Sequence, residues 1–168
     1  MAKQLLLVRH GKSDRGFQQI KDFDRPLNHK GNKNAICMAE KFLKKDTIPS
    51  LLVSSPAIRA LTTAQHFSRV WNIPQESIQE EMSVYEADTR DLLDVVCKLP
   101  DEHELIALFG HNPSITNFAN YVSDAKISNI PTAGAVLISF DEDHWAEVSI
   151  HTGTMLLFDF PKNGDEPV

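Results

Sequence analysis

The chain has 168 residues, 42% of them hydrophobic and 24% charged, the make-up of one soluble globular domain with a sizeable core. A formal net charge of -6 argues against a broad nucleic-acid or membrane surface, yet leaves room for a phosphate pocket, which needs only a few local cations. No apolar run approaches the roughly 18 residues of a membrane span. No signal-peptide layout precedes the first strand, and Cys37 and Cys97 form no CxxC pair, so buried free thiols and a cytoplasmic location are expected.

The first strand is expected at about Gln4–Val8, a continuous apolar run of the kind buried on both sheet faces. It stops at Arg9, His10 and Gly11. The polar stretch from Lys12 to Leu27, with Gly16, Asp22, Asp24, Arg25 and Pro26, reads as a long loop, and long loops at strand ends are often functional. Asn28 is a candidate N-cap for a helix whose inner face is Ala35, Ile36, Ala39, Phe42 and Leu43; Gly31 weakens its first turn. Leu51–Val53 is a second buried strand. Ser55 as N-cap and Pro56 at the first helical position mark the next helix, with Ala57, Ala60, Leu61, Ala64, Phe67 and Trp71 as its apolar stripe. Ser77–Glu81 is a short strand or edge segment, Met82–Asp88 a loop, and Asp91–Leu99 a helix with Leu92, Val95, Val96 and Leu99 inward.

Glu104–Phe109 is the third clear strand. Asn112 and Pro113 then start a helix facing inward through Ile115, Phe118, Ala119 and Val122. Ala135–Phe140 and Ala146–Ile150 are expected as a hairpin around the acidic turn Asp141–Asp143. One domain is expected over 1–160, with a frayed tail over 161–168. The order of elements predicts a three-layer α/β/α sandwich with a mostly parallel mixed sheet.

Three of these strands end alike, passing from apolar to polar within a residue or two. The first delivers Arg9 and His10; the second Ser54, Ser55 and, one helical turn on, Arg59; the third His111. Ligands of open α/β sheets bind beyond the carboxyl ends of the strands. If the strands are parallel neighbours, two arginines, two imidazoles and two helix N-termini meet at one edge and suit a dianionic phosphoryl group. Taken singly, each residue has a plainer reading: a charged strand end, a solvated helix arginine, a loop histidine bonded to backbone, and for Asn112 a cap. The seven histidines are scattered, with no helical i,i+4 pair and no cysteine cluster, so no metal is expected.

Arg9-His10-Gly11, Ser54-Ser55-Pro56 with Arg59, and Gly110-His111-Asn112 together resemble the histidine phosphatase superfamily, the phosphoglycerate mutase-like fold. The short chain, Asp24-Arg25-Pro26-Leu27 and Pro131-Thr132-Ala133-Gly134 look most like its SixA-type phosphohistidine phosphatase branch. The resemblance implies that His10 is a nucleophile forming a phosphohistidine. It implies that Arg9 and Arg59 clamp the phosphoryl oxygens and that His111, as imidazolium, stabilises their charge, with Ser13 adding a hydrogen bond. Water would then release phosphate, and no cofactor is called for. A general acid is expected from the Val84–Asp88 stretch, Glu86 first and Asp88 second, though Glu86 also reads as a helix cap or a solvated carboxylate.

The leaving group bears on that acid. An imidazole leaves with a conjugate-acid pKa of about 6.5, whereas an alkoxide leaves about as badly as hydroxide, whose water has a pKa of about 15.7. The expected activity is therefore removal of phosphate from phosphohistidine in a protein. The alternatives are hydrolysis of a small phosphate ester such as a sugar phosphate, or a phosphoryl-binding module without turnover. The partner is a phosphorylated protein or small phosphate substrate, with no nucleic acid and no membrane.

Overall fold

In the computed structural model, which describes residues 2–14 and 19–161, the first apolar run becomes β1 (Lys3–Arg9), inside a six-stranded sheet. Gly16 of the long loop and residues 162–168 of the expected tail lie outside the described residues. There follow α1 (His29–Lys44), β2 (Leu51–Ser54), α2 (Ile58–Val70), β3 (Gln79–Glu80), α3 (Thr89–Cys97), β4 (Leu105–Gly110), α4 (Ser114–Val122), β5 (Ala135–Phe140) and β6 (Gly153–Asp159). The sheet order is β3-β2-β4-β1-β5-β6. The first four strands in that order are parallel; β5 pairs antiparallel with both β1 and β6. This is the expected α/β sandwich with a mostly parallel mixed sheet.

Leu5 to Val8 are fully buried, and the two-residue period of a strand divides them between two cores. Leu5 and Leu7 pack with Leu92 and Val96 of α3 and with Ile115 and Phe118 of α4. Leu6 and Val8 pack with Ala35 and Phe42 of α1 and with Ala64 and Phe67 of α2. Burying a side chain of this size contributes about 1.5–3 kcal/mol. The polar end of β1 is therefore anchored from both faces. Among the described residues, no helix is long and apolar enough to cross a membrane.

Asn28 caps α1 as expected, its Oδ1 accepting from the Gly31 amide at 2.8 Å. Gly31 weakens the turn by propensity but is required by packing. A Cβ there would run into the Lys12 carbonyl, and one on Gly11 would lie 2.7 Å from the Gly31 carbonyl oxygen. Two facing glycines thus let the exit from β1 lie directly on α1.

Several expected boundaries move. α2 starts at Ile58 with Ala57 as N-cap, two residues later than Ser55-Pro56 implied. The Ser55 hydroxyl does accept from the Ala57 amide at 3.2 Å, but it also bonds His111, which holds it outside the helix. α3 starts earlier than expected, because Asp88 forms a capping box with Asp91.

The strand expected at Ala146–Ile150 is not formed. Trp145–Glu147 is a 3-10 turn, and the partner of β5 is β6. Trp145 is fully buried, with its indole N–H donating to the His103 carbonyl at 2.9 Å, which draws this segment off the sheet edge. Gly153 takes over the pairing, where a Cβ would lie 2.5 Å from Ile138 Cγ2. Cys37 and Cys97 are unbridged and half-buried rather than buried.

Gly31→Ala is expected to lower stability by about 1–3 kcal/mol through overpacking, whereas Lys33→Ala on the exposed face of the same helix is expected to stay within about 0.5 kcal/mol of wild type. Denaturant midpoints of the two variants check this.

Candidate active site

The carboxyl ends of β1, β2 and β4 lie side by side, because β4 pairs with both β1 and β2. His10 follows β1 and its amide donates to the Gly110 carbonyl at 3.1 Å. Ser55 follows β2 and its amide donates to the Phe109 carbonyl at 3.0 Å. His111 follows β4. The geometry therefore brings together Arg9, His10, Ser55, Arg59 and His111, and the ring centroids of His10 and His111 are 5.2 Å apart.

His10 is only 8% exposed. Its Nδ1 lies 2.7 Å from the Gly11 carbonyl oxygen, which can only accept, so Nδ1 carries the proton. Nε2 then holds the lone pair, and the Arg59 Nε–H donates toward it at 3.4 Å. The loop that presents His10 is fixed from α2. The Gly11 amide donates to Thr63 Oγ1 at 3.0 Å, and that hydroxyl donates to the Arg59 carbonyl at 2.7 Å.

Arg9 donates through Nη1 to the Ile130 carbonyl at 2.8 Å. Asn112 Nδ2 donates to the same carbonyl at 3.0 Å, and its Oδ1 accepts from the Thr116 amide and hydroxyl. The N-cap of α4 is Pro113 rather than the expected Asn112, which instead ties Thr116 of α4 to the loop before β5. His111 is 7% exposed, with Nε2 hydrogen-bonded to the Ser55 hydroxyl at 2.8 Å. Its buried Nδ1 has no partner among the described residues. The Tyr85 ring meets His111 edge-on at 5.6 Å.

Three residues at the site, Asp22, Arg25 and Tyr85, have no counterpart among the sequence-derived candidates. Asp22, on a 3-10 turn (Asp22–Asp24), takes Arg59 Nη1 on its carbonyl at 2.7 Å and Nη2 on Oδ2 at 3.0 Å. The Tyr85 hydroxyl donates to the same Oδ2 at 2.8 Å, and Arg25 Nη2 reaches Oδ1 at 2.9 Å. Ser13 is drawn into this group, its hydroxyl accepting from Arg25. The acidic, arginine-bearing loop was the available signal, but nothing local says which of its charges turns inward.

Glu86 is exposed, with a left-handed φ of 55°, next to Tyr85 but on the solvent side. Asp88 is committed to capping α3, accepting from the Asp91 amide at 2.8 Å, which removes it as a proton donor to the pocket.

Burial pushes His10 down to about 3, helped by the nearby His111, Arg59 and Arg9 and opposed by the Gly11 bond. Burial and the Arg59 charge push His111 down to about 4, with Asp22 opposing. Both shifts favour the neutral ring in the open site, and an anion bound against the rings would favour the proton expected on His111. Desolvation raises the Asp22 carboxyl, but hydrogen bonds from Arg25, Tyr85 and Arg59 overcome it and hold the group well below the usual carboxylate range. Burial and the bond to Asp22 push Tyr85 up to about 12. Among the described residues there is no group of three or more His, Cys, Asp or Glu side chains placed to hold a metal.

A family model for the histidine phosphatase superfamily, branch 1, matches residues 5–89. A SixA structure from Agrobacterium tumefaciens, assigned as a phosphohistidine phosphatase, is 24% identical with a TM-score of 0.78, covering 95% of this chain and 98% of that one. The protein histidine phosphatase SixA complexed with tungstate is 18% identical with a TM-score of 0.79, covering 94% and 97%. A mycobacterial glucosyl-3-phosphoglycerate phosphatase in complex with VO3 is 16% identical with a TM-score of 0.73, covering 94% and 99%. These likenesses are likenesses of fold.

The two depressed histidines make stability fall with acid. Below about pH 6.5 the unfolded chain takes up protons that the folded site refuses, so stability is full above that value and is lost as pH falls toward the folded values. Relative to the double variant His10→Asn/His111→Gln, wild type is expected to lose about 2–4 kcal/mol more between pH 7 and pH 5. Urea unfolding at the two pH values measures it.

Proposed function

We propose, given that this chain belongs to the histidine phosphatase superfamily, that it removes the phosphoryl group from phosphohistidine in a protein, without a metal. The observation that carries this reading is the His10 tautomer. With Nδ1–H on the Gly11 carbonyl, the Nε2 lone pair faces the pocket beside Arg59. A neutral imidazole held this way is a nucleophile that needs no base to activate it.

In this mechanism His10 Nε2 attacks phosphorus in line and the leaving group departs opposite. Arg9 and Arg59 hold the equatorial oxygens, where charge accumulates in the transition state. His111 hydrogen-bonds the phosphoryl group and takes up positive charge as that group binds, and Ser13 acts through Arg25. Water then attacks phosphohistidine-10 and releases phosphate. A cytoplasmic setting suits the two unbridged cysteines.

Two observations favour an N–P substrate. Neither Asp22 nor Asp88 can supply a proton to a poor leaving group, the first because it is held ionised by three donors and the second because it caps α3. The fold is also like that of the SixA phosphohistidine phosphatases. The likeness to the glucosyl-3-phosphoglycerate phosphatase favours a second reading, a small phosphate ester, and in that reading exposed Glu86 is the acid.

Kinetics in the presence of a chelator separate the readings. Wild type is expected to turn over a phosphohistidine peptide at least about tenfold better in kcat/KM than a sugar phosphate, a difference of about 1.4 kcal/mol in transition-state stabilisation. His10→Ala is expected to lose about 10³-fold or more on every substrate, and Arg59→Ala about 10²–10³-fold. A preference for the sugar phosphate, with Glu86→Gln slowing it sharply, would establish the ester reading instead.

A further inference from the structure

The mechanism above leaves Asp22 without a chemical task, yet Asp22 receives more of the site's hydrogen bonds than any other side chain described for it. Arg59 spans the distance from the histidines to this carboxylate, with Nε on His10 and both terminal nitrogens on Asp22. Tyr85 does the same from the other side, its ring on His111 and its hydroxyl on Asp22. The histidines are at the buried end of this frame, 8% and 7% exposed, while the Asp22 side chain is 54% exposed. A phosphoryl group seated on His10 Nε2 therefore has its open side toward Asp22. In-line displacement sends the leaving group that way.

We propose that Asp22 is the specificity residue for the leaving group: its carboxylate accepts the distal ring N–H of a substrate phosphohistidine and keeps that ring protonated. This rests on the phosphohistidine reading above. A carboxylate offers about four acceptor positions. Three are taken among the described residues, two on Oδ2 by Arg59 and Tyr85 and one on Oδ1 by Arg25. The remaining one is on Oδ1, of a side chain that is 54% exposed. Among the described residues, the groups facing Asp22 are Arg25 from its own turn, Arg59 from α2, and Tyr85 from the loop after β3, with His111 behind that ring and Glu86 beside it. The donors keep Asp22 an anion, so it accepts a proton bond and does not give one.

The step balances without an acid. The bond from His10 Nε2 to phosphorus forms as the P–N bond to the substrate ring breaks. The electron pair of that bond returns to the ring nitrogen, and the ring leaves neutral with its proton on the distal nitrogen. An unprotonated ring would have to leave as an imidazolate. An imidazole titrates near neutrality, so at alkaline pH the reactive fraction falls unless a carboxylate holds the proton. A phosphate ester has no such cation, and an ester carrying its own carboxylate meets like charge at Asp22.

The test compares wild type, Asp22→Asn and Asp22→Glu on a phosphohistidine peptide and on an activated aryl phosphate at pH 6 and pH 8.5. On the peptide, the wild-type to Asp22→Asn ratio of kcat/KM is expected to be about tenfold larger at the higher pH, equivalent to about one pKa unit on the bound ring. On the aryl phosphate the ratio is expected to be the same at both pH values, because Asp22 there only positions Arg59. Asp22→Glu is expected to restore most of the alkaline activity on the peptide. Equal loss at both pH values on the peptide, total loss included, would overturn the inference and leave Asp22 a positioning residue. Wild type that hydrolyses esters but not the peptide would overturn the substrate reading, and this inference with it.

Discussion

One hydrogen bond sets what the pocket can do: the proton of His10 Nδ1 on the Gly11 carbonyl. It decides the tautomer, and the tautomer decides which nitrogen carries the lone pair. Much of the fold serves to hold that bond. β1 is buried from both faces, so its end cannot drift. The amide of Gly11 is tied to Thr63 of α2, and the Gly11–Gly31 approach presses the same loop onto α1. Three elements distant in sequence thus converge on a single peptide unit, and a side chain at either glycine would separate them.

The electrostatics follow from burial. A chain of net charge -6 puts arginines around two neutral imidazoles. Neutrality of the rings is the physical consequence of that company, since a proton on either would be both desolvated and repelled. The open pocket is poised for an anion, whose arrival changes the balance at His111. Asp22 offsets the charge of Arg25 and Arg59 at the exposed side of the site.

Much of this was legible in the residue order. The apolar runs, the cap at Asn28 and the three polar strand ends lead to the sheet and to Arg9, His10, Arg59 and His111. What failed did so for identifiable reasons. Ala146–Ile150 alternates like a strand, but Trp145 finds a deep pocket and a carbonyl partner that outweigh local pattern. Ser55-Pro56 reads as a helix start, but the Ser55 hydroxyl is needed at His111. Asp88 reads as a possible acid and is spent as a cap.

Short-range chemistry, then, is what the residue order determines by itself: strand ends, helix caps, and a histidine preceded by arginine and followed by glycine, because these depend on neighbours within a turn. The tertiary structure alone decided the Asp22 cluster. Its carboxylate meets Arg59 across 37 residues and Tyr85 across 63, joined by side-chain hydrogen bonds that no local periodicity records. It also decided the direction in which the His111 pKa moves, because desolvation depends on what is packed around a ring and not on what precedes it in the chain.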